Sequence, residues 1–174
     1  MRPTFFAVLG LVVSSAGFAP ASLAAPASAK DESALQQAGV YKVAIQPGVS
    51  LDDAAESMRL RANALNLKLV AELPLSKQVE ANTGKPQRVT TIFEFCDAVT
   101  AKDLIDQSLN FAIYVPCRIA LVEDAKGQGW LIMIDINVEE FAKANKLSPD
   151  LKARIQKVRD GLDEIIRAGS KGDL

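Results

Sequence analysis

The chain has 174 residues, a formal net charge of −1, 49% hydrophobic residues and no histidine. That length suits one domain with a real core, and a near-neutral balance with no basic cluster gives no electrostatic case for nucleic acid. Without histidine, Ser-His-Asp and Cys-His catalysis within one chain are excluded, as are histidine-ligated zinc, copper and haem.

Met1 to Ala29 reads as a cleaved signal peptide. Arg2 supplies the positive start, and Phe5 to Val13 is an apolar run too short to cross a bilayer as a stable helix. Ala27-Ser28-Ala29 forms an Ala-x-Ala cleavage site before Lys30, and Ser22-Leu23-Ala24 offers a second. No cysteine stands near either site, which argues against a lipid-anchored lipoprotein. The run and its small-residue site resemble bacterial export signals, which implies the periplasm with no membrane insertion after cleavage. Residues 30–38 read as a loose polar leader, and 39–174 as a single α+β domain.

Val40 to Ile45 alternates in the manner of a first strand, closed by Pro47-Gly48. Ser50 caps a helix with Asp53 three residues on, and Leu51, Ala55, Met58, Ala62 and Leu65 recur at helical spacing up to a stop near Asn66. Leu67 to Leu73 alternates as a second strand ending at Pro74. Leu75 to Gln87, polar and carrying Gly84 and Pro86, reads as a loop. Arg88 to Cys96 is a third strand, rich in β-branched and aromatic residues. Thr100, with Asp103 three residues later, caps a short helix.

Phe111 to Glu123 is a long apolar run interrupted by Pro116, which should sit at an edge or bulge because it lacks a ladder donor. Lys126-Gly127-Gln128-Gly129 makes a turn, and Trp130 to Ile136 returns as the hairpin partner. Asn137 caps a further turn of helix through Ala144. Ser148-Pro149 opens the last helix, 147–169, whose stripe is Leu151, Ile155, Val158, Leu162 and Ile165, with a stop near Gly169. The order β-α-β-β-α-β-β plus C-terminal helices predicts a two-layer α+β fold with a mostly antiparallel sheet of about five strands.

Cys96 and Cys117 are the only cysteines. In an oxidising compartment two thiols pair or do redox or metal chemistry. A disulfide between them would close a loop worth roughly 3 kcal/mol in the loop-entropy model. Two separate core cysteines, or a thiol site with redox, sulfur or Cu(I) chemistry, are the alternatives. Arg118, next to Cys117, could lower a thiol pKa or face solvent on its strand. Asp97 could cap the following helix or pair with Arg118. Asp103, Asp106, Glu123, Asp124 and Asp135 show no metal spacing and no glycosidase-like pair. Trp130 reads as packing, and the C-terminal stripe as a helix laid on its own sheet rather than a dimer seam.

Three segments carry a likeness to a known family. Glu94-Phe95-Cys96-Asp97-Ala98, with Ala101 and Leu104, resembles the strand-end Cys-Asn-Pro and following helix of the family called domain of unknown function 302. Val115-Pro116-Cys117-Arg118-Ile119 resembles its Pro-Cys-Arg-Val strand, and Glu123-Asp124 before Gly127 its acidic hairpin turn. The resemblance implies a compact α+β domain with an antiparallel sheet, often a homodimer, in a branch that carries both cysteines. It implies no activity. Asp97-Ala98 departs from the usual Asn-Pro.

These readings lead to an exported, non-enzymatic binding or interaction domain with Cys96 and Cys117, and their neighbours Asp97 and Arg118, at or near the functional face. No catalytic residue is assigned and no cofactor is predicted, and the question of a metal stays open. The alternative is a thiol-based redox, sulfur-carrier or Cu(I)-handling protein, and a small-molecule pocket between sheet and helices is a third reading.

Overall fold

A computed structural model describes residues 39–173. The signal peptide, both cleavage sites and the leader lie outside these residues. Five strands form one antiparallel sheet: β1 (Val40–Ala44), β2 (Lys68–Leu73), β3 (Thr90–Cys96), β4 (Cys117–Glu123) and β5 (Gly129–Ile134), in the order β1-β5-β4-β3-β2. The helices are α1 (Leu51–Ala64), α2 (Leu75–Thr83), α3 (Ala98–Gln107), α4 (Val138–Ala144) and α5 (Pro149–Lys171), with a 3-10 turn over Leu109–Tyr114. The fold is α+β, as the order of elements predicts.

The pleat sorts the side chains. Phe93 and Phe95 of β3, Ile119 and Leu121 of β4, and Leu131 and Met133 of β5 share one face and are buried. Met58 and Ala62 of α1 and Leu162, Ile165 and Ile166 of α5 close over them in one core. On the other face a row runs across all five strands: Lys42, Ile132, Ala120, Ile92 and Leu73. Trp130 also lies there, with the Lys42 amino group 4.1 Å from its ring centre and its Nε1–H donated to Asp124 at 2.9 Å. At the β4–β5 turn Asp124 Oδ1 accepts from the N–H groups of Lys126 and Gln128, and Gly127 adopts φ +79°.

The Ser50 cap forms, its hydroxyl accepting from the Asp53 N–H at 3.0 Å. Asn137 and Ser148 cap α4 and α5 as their positions predict.

Other expectations are corrected. Leu75–Thr83 is a helix, not a loop. It starts straight after Pro74, is tied to β3 through the Ser76 hydroxyl and Thr90, and buries only Ser76, so its sequence shows almost no apolar stripe. The cap of α3 is Asp97, whose carboxylate accepts from the N–H groups of Val99 and Thr100 at 3.1 Å each. Thr100 is itself a buried helical residue. The apolar run from Phe111 to Glu123 begins in a 3-10 turn and becomes strand only at Cys117, which opens β4. Pro116 is neither at a sheet edge nor at a bulge. It precedes the first residue of β4, the central strand, where no ladder donor is needed. Finally, α5 runs through Gly169 to Lys171 and stops at Gly172, which takes the left-handed cap at φ +68°. Gly169 is there for packing: a Cβ on it would lie 2.6 Å from Met58 Cγ and 3.1 Å from the Ala54 carbonyl oxygen.

Candidate functional site

The residues singled out in the sequence meet at one corner of the molecule. β3 ends at Cys96, Asp97 turns the chain into α3, and the 3-10 turn returns it through a cis Val115–Pro116 bond to Cys117 at the start of β4. Antiparallel pairing sets Cys117 opposite Phe95, while Cys96 lies opposite Lys68 of β2. Neighbouring positions of a strand alternate between faces. The two cysteines are therefore one place out of the register in which strand partners face each other. Both are free thiols, so the disulfide is not formed in this structure.

Both thiols are weaker acids than usual. Burial pushes Cys117 up to about 11, with the neighbouring Cys96 adding to the effect. Burial also raises Cys96, and the Asp97 carboxylate raises it further. Arg118 does not offset this. It sits on the exposed side of its strand, directly opposite Glu94, and donates Nε–H to Glu94 Oε1 at 3.0 Å. Asp97 is occupied as the cap of α3. These thiols hold their protons near neutral pH, which makes poor nucleophiles of them.

The corner is hollow. A cavity of about 120 Å³ opens between the start of β4, the end of β5 and the middle of α5, walled by Ile113, Pro116, Met133, Ile134 and Leu162, with Arg118 and Arg159 also in its lining. A second, of about 70 Å³, is bordered by Cys96, Asp97, Thr100, Leu104 and Phe141. Tyr114, Cys117, Ile136, Ile155 and Val158 belong to both, so the two form one bilobed apolar cleft with Cys117 in the dividing wall. Aromatic packing shapes its rim: Tyr114 meets Phe141 edge-on at 5.3 Å, and Phe141 lies 5.7 Å from Phe111. Phe111, Leu104 and Leu151 form a second small core behind it.

Cys96, Cys117, Asp97 and Arg118 thus share one cleft, although Arg118 reaches only its larger lobe. Tyr114, Ile136 and Phe141 are wall residues that the sequence reading missed. Ile155 and Val158 stand in the predicted helical stripe. They are less buried than Leu151, Leu162 and Ile165 on either side, and that gap is the cleft. Among the described residues no group of three or more cysteine, aspartate or glutamate side chains is placed to hold a metal ion. No helix among them is long and apolar enough to cross a membrane.

The architecture defines a small antiparallel α+β domain with an apolar cleft at one end of its sheet. The chain belongs to the family described as Domain of unknown function DUF302, which it matches over residues 41–169. It is similar in fold to the crystal structure of an uncharacterized conserved protein DUF302 from Bacillus stearothermophilus. That likeness has a TM-score of 0.59 at 13% identity, and covers 74% of this chain and 96% of that one. No curated protein matches the chain.

Proposed function

We propose that this is an exported, periplasmic binding domain without catalytic activity, and that the cleft at the cysteine corner takes a small apolar molecule. The observation that carries the reading is the bilobed cavity whose shared wall is Tyr114, Cys117, Ile136, Ile155 and Val158. Small-molecule sites are typically concave and apolar with a few polar groups at the margin. An apolar cavity of roughly 150 Å³ is known to hold a benzene-sized molecule, so this one suits a ring or short alkyl chain. Export is supported by the small-residue sites Ser22-Leu23-Ala24 and Ala27-Ser28-Ala29 after the apolar run.

Titration with 1-octanol, followed by backbone amide NMR, tests the binding reading. Shifts should concentrate at Tyr114, Cys117, Ile136, Ile155 and Val158. Their absence, or an even spread over the surface, would refute it. N-terminal sequencing of protein recovered from the periplasm tests export, with Lys30 or Ala25 expected as first residue.

The thiol reading is the weaker one. Both sulfurs border the smaller lobe, but each is held in its protonated form, which disfavours thiolate chemistry.

A further inference from the structure

The larger lobe is apolar but electrically one-sided. No aspartate or glutamate lines it, and its two charged residues are both arginines. Arg159 is committed: its Nε–H and Nη2–H are both donated to Asp135 Oδ1, at 3.0 and 2.8 Å. Arg118 is not. Only its Nε–H has a partner, Glu94 Oε1, and among the described residues neither terminal nitrogen makes a hydrogen bond. Its side chain is 56% exposed at the lobe, against 16% for Glu94. Glu94 therefore fixes the guanidinium through one nitrogen and leaves the terminal edge of the fork unused. That edge presents two parallel N–H donors, the arrangement that matches a carboxylate. Beside it stand Ile113 and Ile134, 74% and 66% exposed, which continue the apolar wall out to the surface.

We propose that the cleft is selective for small monocarboxylic acids, with the apolar body in the lobes and the carboxylate on the terminal nitrogens of Arg118. This rests on the reading of the cleft as a small-molecule site. The unfilled fork offers donors and no acceptor, which explains the preference for a carboxylate over both an amine and a neutral alcohol. The Asp97 carboxylate, the one acid at the smaller lobe, is engaged as a helix cap by two backbone N–H groups, so it does not reverse that preference. No bond is made or broken: binding exchanges water on Arg118 and on the carboxylate for a charge-assisted pair.

The test uses one alkyl body with three heads: octanoate, 1-octanol and octylamine, titrated near neutral pH against the mature chain by calorimetry and amide NMR. Octanoate should bind about tenfold tighter than octanol, the scale of a charge-assisted hydrogen bond, and octylamine more weakly than either. Arg118→Gln should abolish the advantage of octanoate over octanol when both are titrated against that variant. Arg118→Lys, which keeps the charge but loses the planar fork, should retain part of it. Equal binding of octanoate and octanol at the cleft would overturn the acid preference while leaving the apolar site standing. A preference that survives Arg118→Gln would overturn the role of Arg118. No shift at the cleft with any of the three would overturn both this proposal and the binding reading beneath it.

Discussion

In Cys96→Ser, Cys117 is the sole thiol, and its alkylation in the folded protein should be slow. Its pKa stands at about 11 against an ordinary 9.0, raised first by burial and then by Cys96. The variant removes the second cause and keeps the first. At about pH 8 the wild-type rise, from 9.0 to about 11, leaves roughly a hundredfold less thiolate, and the larger part of it, from burial, should persist in the variant; only the thiolate reacts. Iodoacetamide labelling followed by intact mass reads the rate directly, with the same variant in urea as the unfolded reference. Folded and unfolded rates within a few-fold of each other would refute the burial argument. The same shift sets a pH dependence. The thiol ionises at a higher pH folded than unfolded, so the folded state holds the extra proton between about pH 9 and about pH 11. The stability this contributes is fully present below about pH 9 and is lost as pH rises through that window, up to about 2–3 kcal/mol. Urea unfolding of the wild type and of Cys117→Ala should show the steeper alkaline decline in the wild type; parallel declines would contradict it.

Three further outcomes follow from the packing. Gly169→Ala gains helix propensity but drives a Cβ against Met58, Leu131 and the Ala54 carbonyl, so thermal unfolding should show a net loss of about 1–3 kcal/mol. A gain in stability would show that α1 and α5 can part at no cost. Asp97→Ala removes the cap of α3 and should cost about 1 kcal/mol by urea denaturation, while Thr100→Ser, which leaves that cap intact, should cost less. Ser170→Ala deletes the bond from the buried hydroxyl to the Ala44 carbonyl at 2.7 Å, so β1 amides should exchange faster, with about 1 kcal/mol lost overall.

What could be read from the residues depended on how strongly each element is patterned. The α5 stripe and the turn at Lys126–Gly129 were legible because each combines apolar periodicity with a cap or a glycine at the required place. α2 was not, since a helix that buries one serine needs no apolar stripe. Thr100 and Asp97 are both good caps three residues apart, and only the backbone decides between them. Gly169 looks like a stop signal, and its real constraint, the approach of α1, comes from residues a hundred positions away. The cysteine corner was found from the two motifs around it. The cleft was not, because a cavity is an absence shared by Tyr114, Ile136, Phe141, Ile155 and Val158, none of which is unusual in its own segment.

The two ends of the described fold are tied to each other. β1 pairs only with β5, the last strand; the Gln46 N–H donates to the Ser170 carbonyl, and the Ser170 hydroxyl to the Ala44 carbonyl. A polypeptide is made from its N-terminus, so β1 emerges first and finds its partners last. Until β5 leaves the ribosome the opening strand has no sheet partner, and until the final turn of α5 follows it lacks the Ser170 bonds, so ribosome-stalled chains ending before Gly129 should be protease-sensitive at Val40–Ala44 and those lacking only that turn partly protected. The domain completes itself late, as a clasp closes, and a nascent chain that stays open until then is one that can still be threaded elsewhere.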